Sequence, residues 1–121
     1  ILPRPMLDRL FAARKEADGL IAAIPATDTL KRVDKQGNIV ETVDRAAIWQ
    51  AQTPQIFRYG LILEAHREAH RAGFLGTDDA SLLEVRGIPV KVVRGDRRNI
   101  KITRPEDFPL ASHFLSEEDQ P

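Results

Sequence analysis

Apolar residues recur at three different periods along this chain, and each period predicts a different element. Leu7, Leu10, Phe11 and Arg14 follow helical spacing, so residues 3–17 are expected to form a helix, with Pro5 tolerated in its first turn. Asp18-Gly19 stops it. GLIAAIPA then runs almost wholly apolar between Gly19 and Pro25, as a strand does when both its faces are covered in a parallel or mixed sheet. The polar TDT at 27–29 leaves that sheet as a turn. LKRVD and IVETVD place Val33, Ile39, Val40 and Val43 among charged residues, and Gly37-Asn38 between them signals a hairpin. The hairpin lacks the apolar density of GLIAAIPA. It is expected to project from the body, covered on one face only, by another subunit.

The second half continues in alternating elements. AAIWQAQTPQIF is extended around Gln52-Thr53, because Pro54 biases its predecessor away from helix. Residues 58–72 form the clearest helix, with Ile62, Ala65, Ala69 and Ala72 on one face and Gly73 at its end. Thr77 is expected to cap a further helix, with Asp78 and Asp79 in its first turn and Leu82, Leu83 and Val85 on its apolar side, ending at Gly87. IPVKVV is a strand and GDRRNIKI a loop. The last helix is expected from Arg104 to about Leu115, opened by a Thr103–Glu106 capping box with Pro105 in its first turn, before a frayed SEEDQP tail. The order is αβ, hairpin, αα, βα: an α/β layer fold whose sheet is incomplete in this chain.

Composition narrows the function classes. A chain of 121 residues suffices for one domain with a core. Its 18 basic and 18 acidic side chains cancel, which removes any global field for nucleic acid or an anionic membrane. The absence of cysteine excludes disulfides and thiolate zinc sites. No apolar run approaches the roughly 20 residues of a membrane span, and no signal peptide is read. The chain opens on ILPRP without an initiator methionine and is expected to belong to a longer protein.

The candidate chemistry lies in turns. Lys101 sits between Ile100 and Ile102, two residues before the expected helix cap at Thr103. A helix N-terminus attracts phosphate, and an ammonium beside it strengthens the site. A solvated surface lysine is the competing reading. Thr29, Arg45, Thr53 and Thr77 also lie where elements end. Hydroxyls, one arginine and one lysine suit a phosphorylated polyol. Each has a structural alternative: Thr77 as a cap, Thr53 as a strand end, Arg45 as half of a hairpin salt bridge. His66 and His70 have zinc-site spacing, but Arg67 stands where a zincin carries glutamate. Asp78-Asp79 is a candidate metal pair that also reads as ordinary helix-start acids.

Taken together, PATDTLKR, TVDRAAIWQAQTPQIF, TDDASLLE and GDRRNIKITRPEDF resemble the 2-C-methyl-D-erythritol 4-phosphate cytidylyltransferase family, over about residues 3–115. The combination in this order is specific, while any single piece is weak. The resemblance implies a nucleotidyltransferase fold, GT-A-like and Rossmann-like with three layers. It implies a cytoplasmic homodimer in which a β-arm, here about 28–45, reaches over the partner subunit. The implied reaction joins CTP to methylerythritol phosphate with Mg²⁺, releasing pyrophosphate, in non-mevalonate isoprenoid synthesis. Residue by residue, Arg45 and Lys101 match the groups that hold the substrate phosphate for attack on CTP. Thr29, Thr53 and Thr77 match threonines around that substrate. Arg45 and Thr29 are expected to act across the dimer, and Thr77 and Lys101 within their own body.

The resemblance is incomplete. The family's Gly-rich CTP loop has no counterpart here, nor has the Asp-x-x-Arg-Pro stretch that supplies an acid near the metal. Residues 1–121 are therefore expected to be the C-terminal part of a single cytidylyltransferase domain, with the phosphate–polyol side of the site, no metal ligands of its own, and no activity alone. Three alternatives stay open: a ribitol 5-phosphate cytidylyltransferase, an inactive dimerisation or regulatory fragment, and a generic α/β domain whose basic residues are merely surface.

Overall fold

In a computed structural model of the chain, residues 2–118 are described. The centre is β1 (Gly19–Pro25), flanked by two strands in the order β4-β1-β5. β5 (Val90–Arg94) runs parallel to it and β4 (Trp49–Phe57) antiparallel. The sheet is thus mixed, as the continuous apolar run of β1 implies.

Helices cover both faces. On one side α1 (Arg4–Ala13) presents Met6 and Leu10 to Leu20 and Ala22 of β1, and all four are fully shielded from solvent. Each of the larger side chains contributes about 1.5–3 kcal/mol by leaving water. On the other side Ala65 of α2 (Tyr59–Ala72) packs with Leu82 and Leu83 of α3 (Asp79–Glu84), against Phe57 of β4 and Val90 of β5. Gly19 pairs with both Phe57 and Val90. A Cβ there would lie 3.1 Å from each of those side chains and 3.3 Å from Leu83, so the bare glycine lets α3 settle onto the sheet.

The connection between β1 and β4 is the arm. β2 (Leu30–Val33) and β3 (Ile39–Val43) pair only with each other, in a separate two-stranded sheet. Asp34 builds the tip: its carboxylate accepts the N–H groups of Gln36 and Asn38 and the Asn38 amide, while Gly37 takes φ +87°. These bonds, that from the Asn38 N–H foremost, hold the Asp34 carboxyl below its ordinary range. Among the described residues nothing shields these apolar positions of the arm: Val33, Ile39 and Val40 are 55%, 63% and 61% exposed.

Several boundaries differ from expectation for local reasons. α1 ends at Ala13 rather than Ala17, because the Arg14 guanidinium and N–H both turn back onto the Phe11 carbonyl. Ala72 and Val85 fit the apolar periodicity but lie at the ends of their helices, and both are exposed. Arg45–Ala47 form a short 3₁₀ turn capped by Asp44, between the arm and β4. The last helix, α4, spans Asp107–Glu118 and starts a turn later than Arg104. Asp107, not Glu106, reaches back, accepting the Thr103 N–H, the Thr103 hydroxyl and the Arg104 N–H. The Thr103 and Arg104 N–H groups hold its carboxyl below the ordinary range. Ser116–Glu118 belong to α4 rather than to a frayed tail, and the rest of SEEDQP lies outside the described residues.

Candidate functional site

The site grows from a slip in strand pairing. Ile21 faces Gln55 and Ala23 faces Ala51, so β4 takes four steps where β1 takes two. The extra backbone bulges at Gln52–Pro54 and contains the Thr53–Pro54 peptide, which is cis. A bulge re-aims side chains next to it. Here it turns Gln52 and Gln55 toward two different loops.

The first loop follows β5. Its start is held from three elements: the Gly95 N–H donates to the Ala23 carbonyl of β1 at 2.8 Å, the Arg9 guanidinium of α1 donates to the Arg94 and Gly95 carbonyls, and Gln52 of β4 bonds Asp96 and Asn99. Arg98 folds onto Asp96, and that hydrogen bond, more than any other contact, holds the Asp96 carboxyl below its ordinary range. The Asn99 amide donates to the Thr53 carbonyl at 2.6 Å. The second loop precedes α3. Gln55 donates to Asp78 at 2.9 Å and accepts the Ala80 N–H, and Asp78 caps α3 through the Ser81 N–H at 3.0 Å.

Between the loops lies an open cleft of about 460 Å³, lined by Thr53, Thr77, Asn99 and Lys101. Its floor includes Ile24, near the carboxyl end of β1. In open α/β sheets ligands bind beyond the carboxyl ends of the parallel strands, and the cleft is so placed. Lys101 is exposed and lines the cleft, and among the described residues it makes no hydrogen bond or ion pair.

Three of the residues singled out from sequence thus come together: Thr53, Thr77 and Lys101. Thr29 and Arg45 do not line this cleft. They lie at the base of the arm, where Arg45 donates to the Thr27 carbonyl at 2.7 Å instead of joining a hairpin salt bridge. Thr77 does not cap α3; Asp78 does, because its carboxylate stands at the residue just before the helix. Lys101 is not beside a helix N-terminus, since α4 begins only at Asp107. Its place comes from the loop tethers. Gln52, Gln55 and Asn99 were not singled out. The signal was present, as three amides in or beside segments otherwise apolar or threonine-rich, but their partners depend on the register slip.

The acids near the cleft do not fit a divalent-cation site. Asp78 is engaged by Ser81 and Gln55, Asp96 by Arg98, and Asp79 by His66 at 3.0 Å. Among the described residues no three His, Cys, Asp or Glu side chains group as ligands. No described helix is long and apolar enough to cross a membrane.

The family model for 2-C-methyl-D-erythritol 4-phosphate cytidylyltransferase matches residues 1–117. The chain belongs to this family. It is 58% identical over 111 residues to the enzyme of that name from Geobacillus thermodenitrificans, covering 91% of this chain and 48% of the relative. It is 44% identical over 117 residues to that from Bacillus licheniformis, covering 97% and 50%. A crystal structure of the family's enzyme from Thermus thermophilus superposes with a TM-score of 0.84 at 33% identity, over 96% of this chain and 57% of that one. The chain therefore spans about half the length of the curated relatives it matches, and its mixed sheet is part of the nucleotidyltransferase fold they share.

Proposed function

We propose that this chain is the C-terminal, phosphate–polyol side of a 2-C-methyl-D-erythritol 4-phosphate cytidylyltransferase. The observation that carries the reading is the convergence of Lys101, Thr53 and Thr77 on one cleft at the carboxyl end of β1, in a chain of that family. In the reaction a phosphate oxygen of the polyol attacks the α-phosphorus of CTP and pyrophosphate leaves. That oxygen carries charge near neutral pH, so no general base is needed. The work is positioning and neutralisation. The Lys101 ammonium holds the substrate phosphate as a point charge, and Thr53 and Thr77 offer hydroxyls to phosphate or polyol.

Arg45 and Thr29 lie at the base of an arm whose apolar residues are open to solvent. They are therefore assigned to the partner subunit's cleft in a homodimer, where Arg45 becomes the second cation on the phosphate. CTP and its Mg²⁺ are assigned to residues outside this chain, in keeping with the already engaged acids around the cleft, and the enzyme works in the cytoplasm. The test is pyrophosphate release by the complete protein with CTP and either methylerythritol 4-phosphate or ribitol 5-phosphate. Turnover with the first is expected. Preference for ribitol 5-phosphate would move the assignment to the sister activity, and release with neither would make the chain a dimerisation module.

A further inference from the structure

We infer that Gln52 is a positioning residue for Lys101, an inference that rests on the proposed role of that lysine. Gln52 is half-buried where the β4 bulge meets the loop after β5. Its amide nitrogen donates to the Asp96 carbonyl at 2.8 Å and to the Asn99 carbonyl at 3.2 Å. Its amide oxygen accepts the Asp96 N–H at 3.2 Å. Both amide protons and the oxygen are thus spent on backbone groups of one short loop. Asn99 answers in the other direction, donating to the carbonyl of Thr53, the residue next to Gln52. Strand and loop are tied reciprocally, and Lys101 leaves the loop two residues after the last tie.

Gly95 shows that the loop is built around this amide. A Cβ on Gly95 would stand 2.1 Å from the Gln52 oxygen and 3.2 Å from its amide carbon. Any side chain there evicts Gln52 from its bonds. Lys101 itself has no protein partner among the described residues, so the place of its ammonium depends on the backbone that carries it. Gln52 lines the cleft wall but spends its polar atoms on the loop, so its effect reaches the substrate through Lys101.

The test is a double-mutant cycle in the complete protein, read as kcat/KM for methylerythritol 4-phosphate. Gln52→Ala is expected to lower it about 10- to 100-fold, the scale of a catalytic group displaced by an ångström. In a Lys101→Ala background the same change is expected to cost less than about threefold, because the group it positions is gone. KM for CTP should stay within about twofold of the parent, since a misplaced lysine loosens only the polyol phosphate. Gln52→Glu keeps the volume but turns an acceptor toward two carbonyls, and Gly95→Ala displaces the amide; both should behave as Gln52→Ala. Parent-like activity of Gln52→Glu, or the same loss with and without Lys101, would overturn the inference. Hydrogen exchange reads the tie without turnover. The Asp96 amide should exchange faster in Gln52→Ala while the Gly95 amide, bound to Ala23, does not. Unchanged exchange at Asp96 would also overturn it. A parent protein that releases no pyrophosphate would instead sink the proposed function, and the exchange measurement would still decide the tie.

Discussion

Two cations of this chain are held in opposite ways. Lys101 stands on a loop tied to α1, β1 and β4, within the three-layer body. Arg45 stands at the foot of an arm whose strands, among the described residues, pair only with each other and whose Val33, Ile39 and Val40 face water. The first position is fixed by bonds inside one chain. On the proposed reading, the second comes into use only when a partner subunit covers the arm. A phosphate clamp built from both would be half preorganised by folding and half assembled by association, and its activity would then depend on protein concentration where the first half alone would not.

Mutations can break this contrast. The largest effect is expected in the body: Leu83→Ala empties a fully buried position between α3 and the sheet and should cost about 2–5 kcal/mol of stability, read from the denaturant midpoint of the complete protein. A cost under about 1 kcal/mol would mean that α3 is not seated as described. On the arm, Val40→Ser should change the stability of the separated subunit by no more than about 0.5 kcal/mol, since the side chain is already exposed. In the proposed homodimer it should nonetheless shift the association midpoint in sedimentation toward higher concentration, and an unchanged midpoint would remove the arm from that interface. The smallest effect concerns pH. The Asp96 carboxyl lies below its ordinary value of 3.8 because of Arg98, so its contribution is fully present above that value and lost as pH falls through the lower, folded one. Asp96→Asn should flatten acid sensitivity of the loop's amide exchange below about pH 4, and an identical profile in both proteins would leave the pair without a role.

The legible and illegible parts of the molecule divide along the same line. β1 could be read because GLIAAIPA is apolar on both faces, and such a run has few other solutions. The arm could be read from Gly37-Asn38, which needs only local geometry. Thr53, Thr77 and Lys101 could be picked out from their residue types and order, and the three line one cleft. What escaped was long-range or competitive. The register slip at Gln52–Pro54 exists only once β1 and β4 pair, so the roles of Gln52, Gln55 and Asn99 were hidden. At Thr103 two acids could reach back, and Asp107 won over Glu106 because it bonds two N–H groups and a hydroxyl at once. At Thr77 the neighbouring carboxylate won the cap.

The central claim is that Lys101 holds the substrate phosphate in the cleft. The most direct measurement is kcat/KM for methylerythritol 4-phosphate in the complete protein, with CTP saturating, for the parent and Lys101→Ala. The expected result is a loss of roughly 2–4 kcal/mol in transition-state stabilisation, about 30- to 900-fold in rate. Equal rates for the two proteins would contradict it.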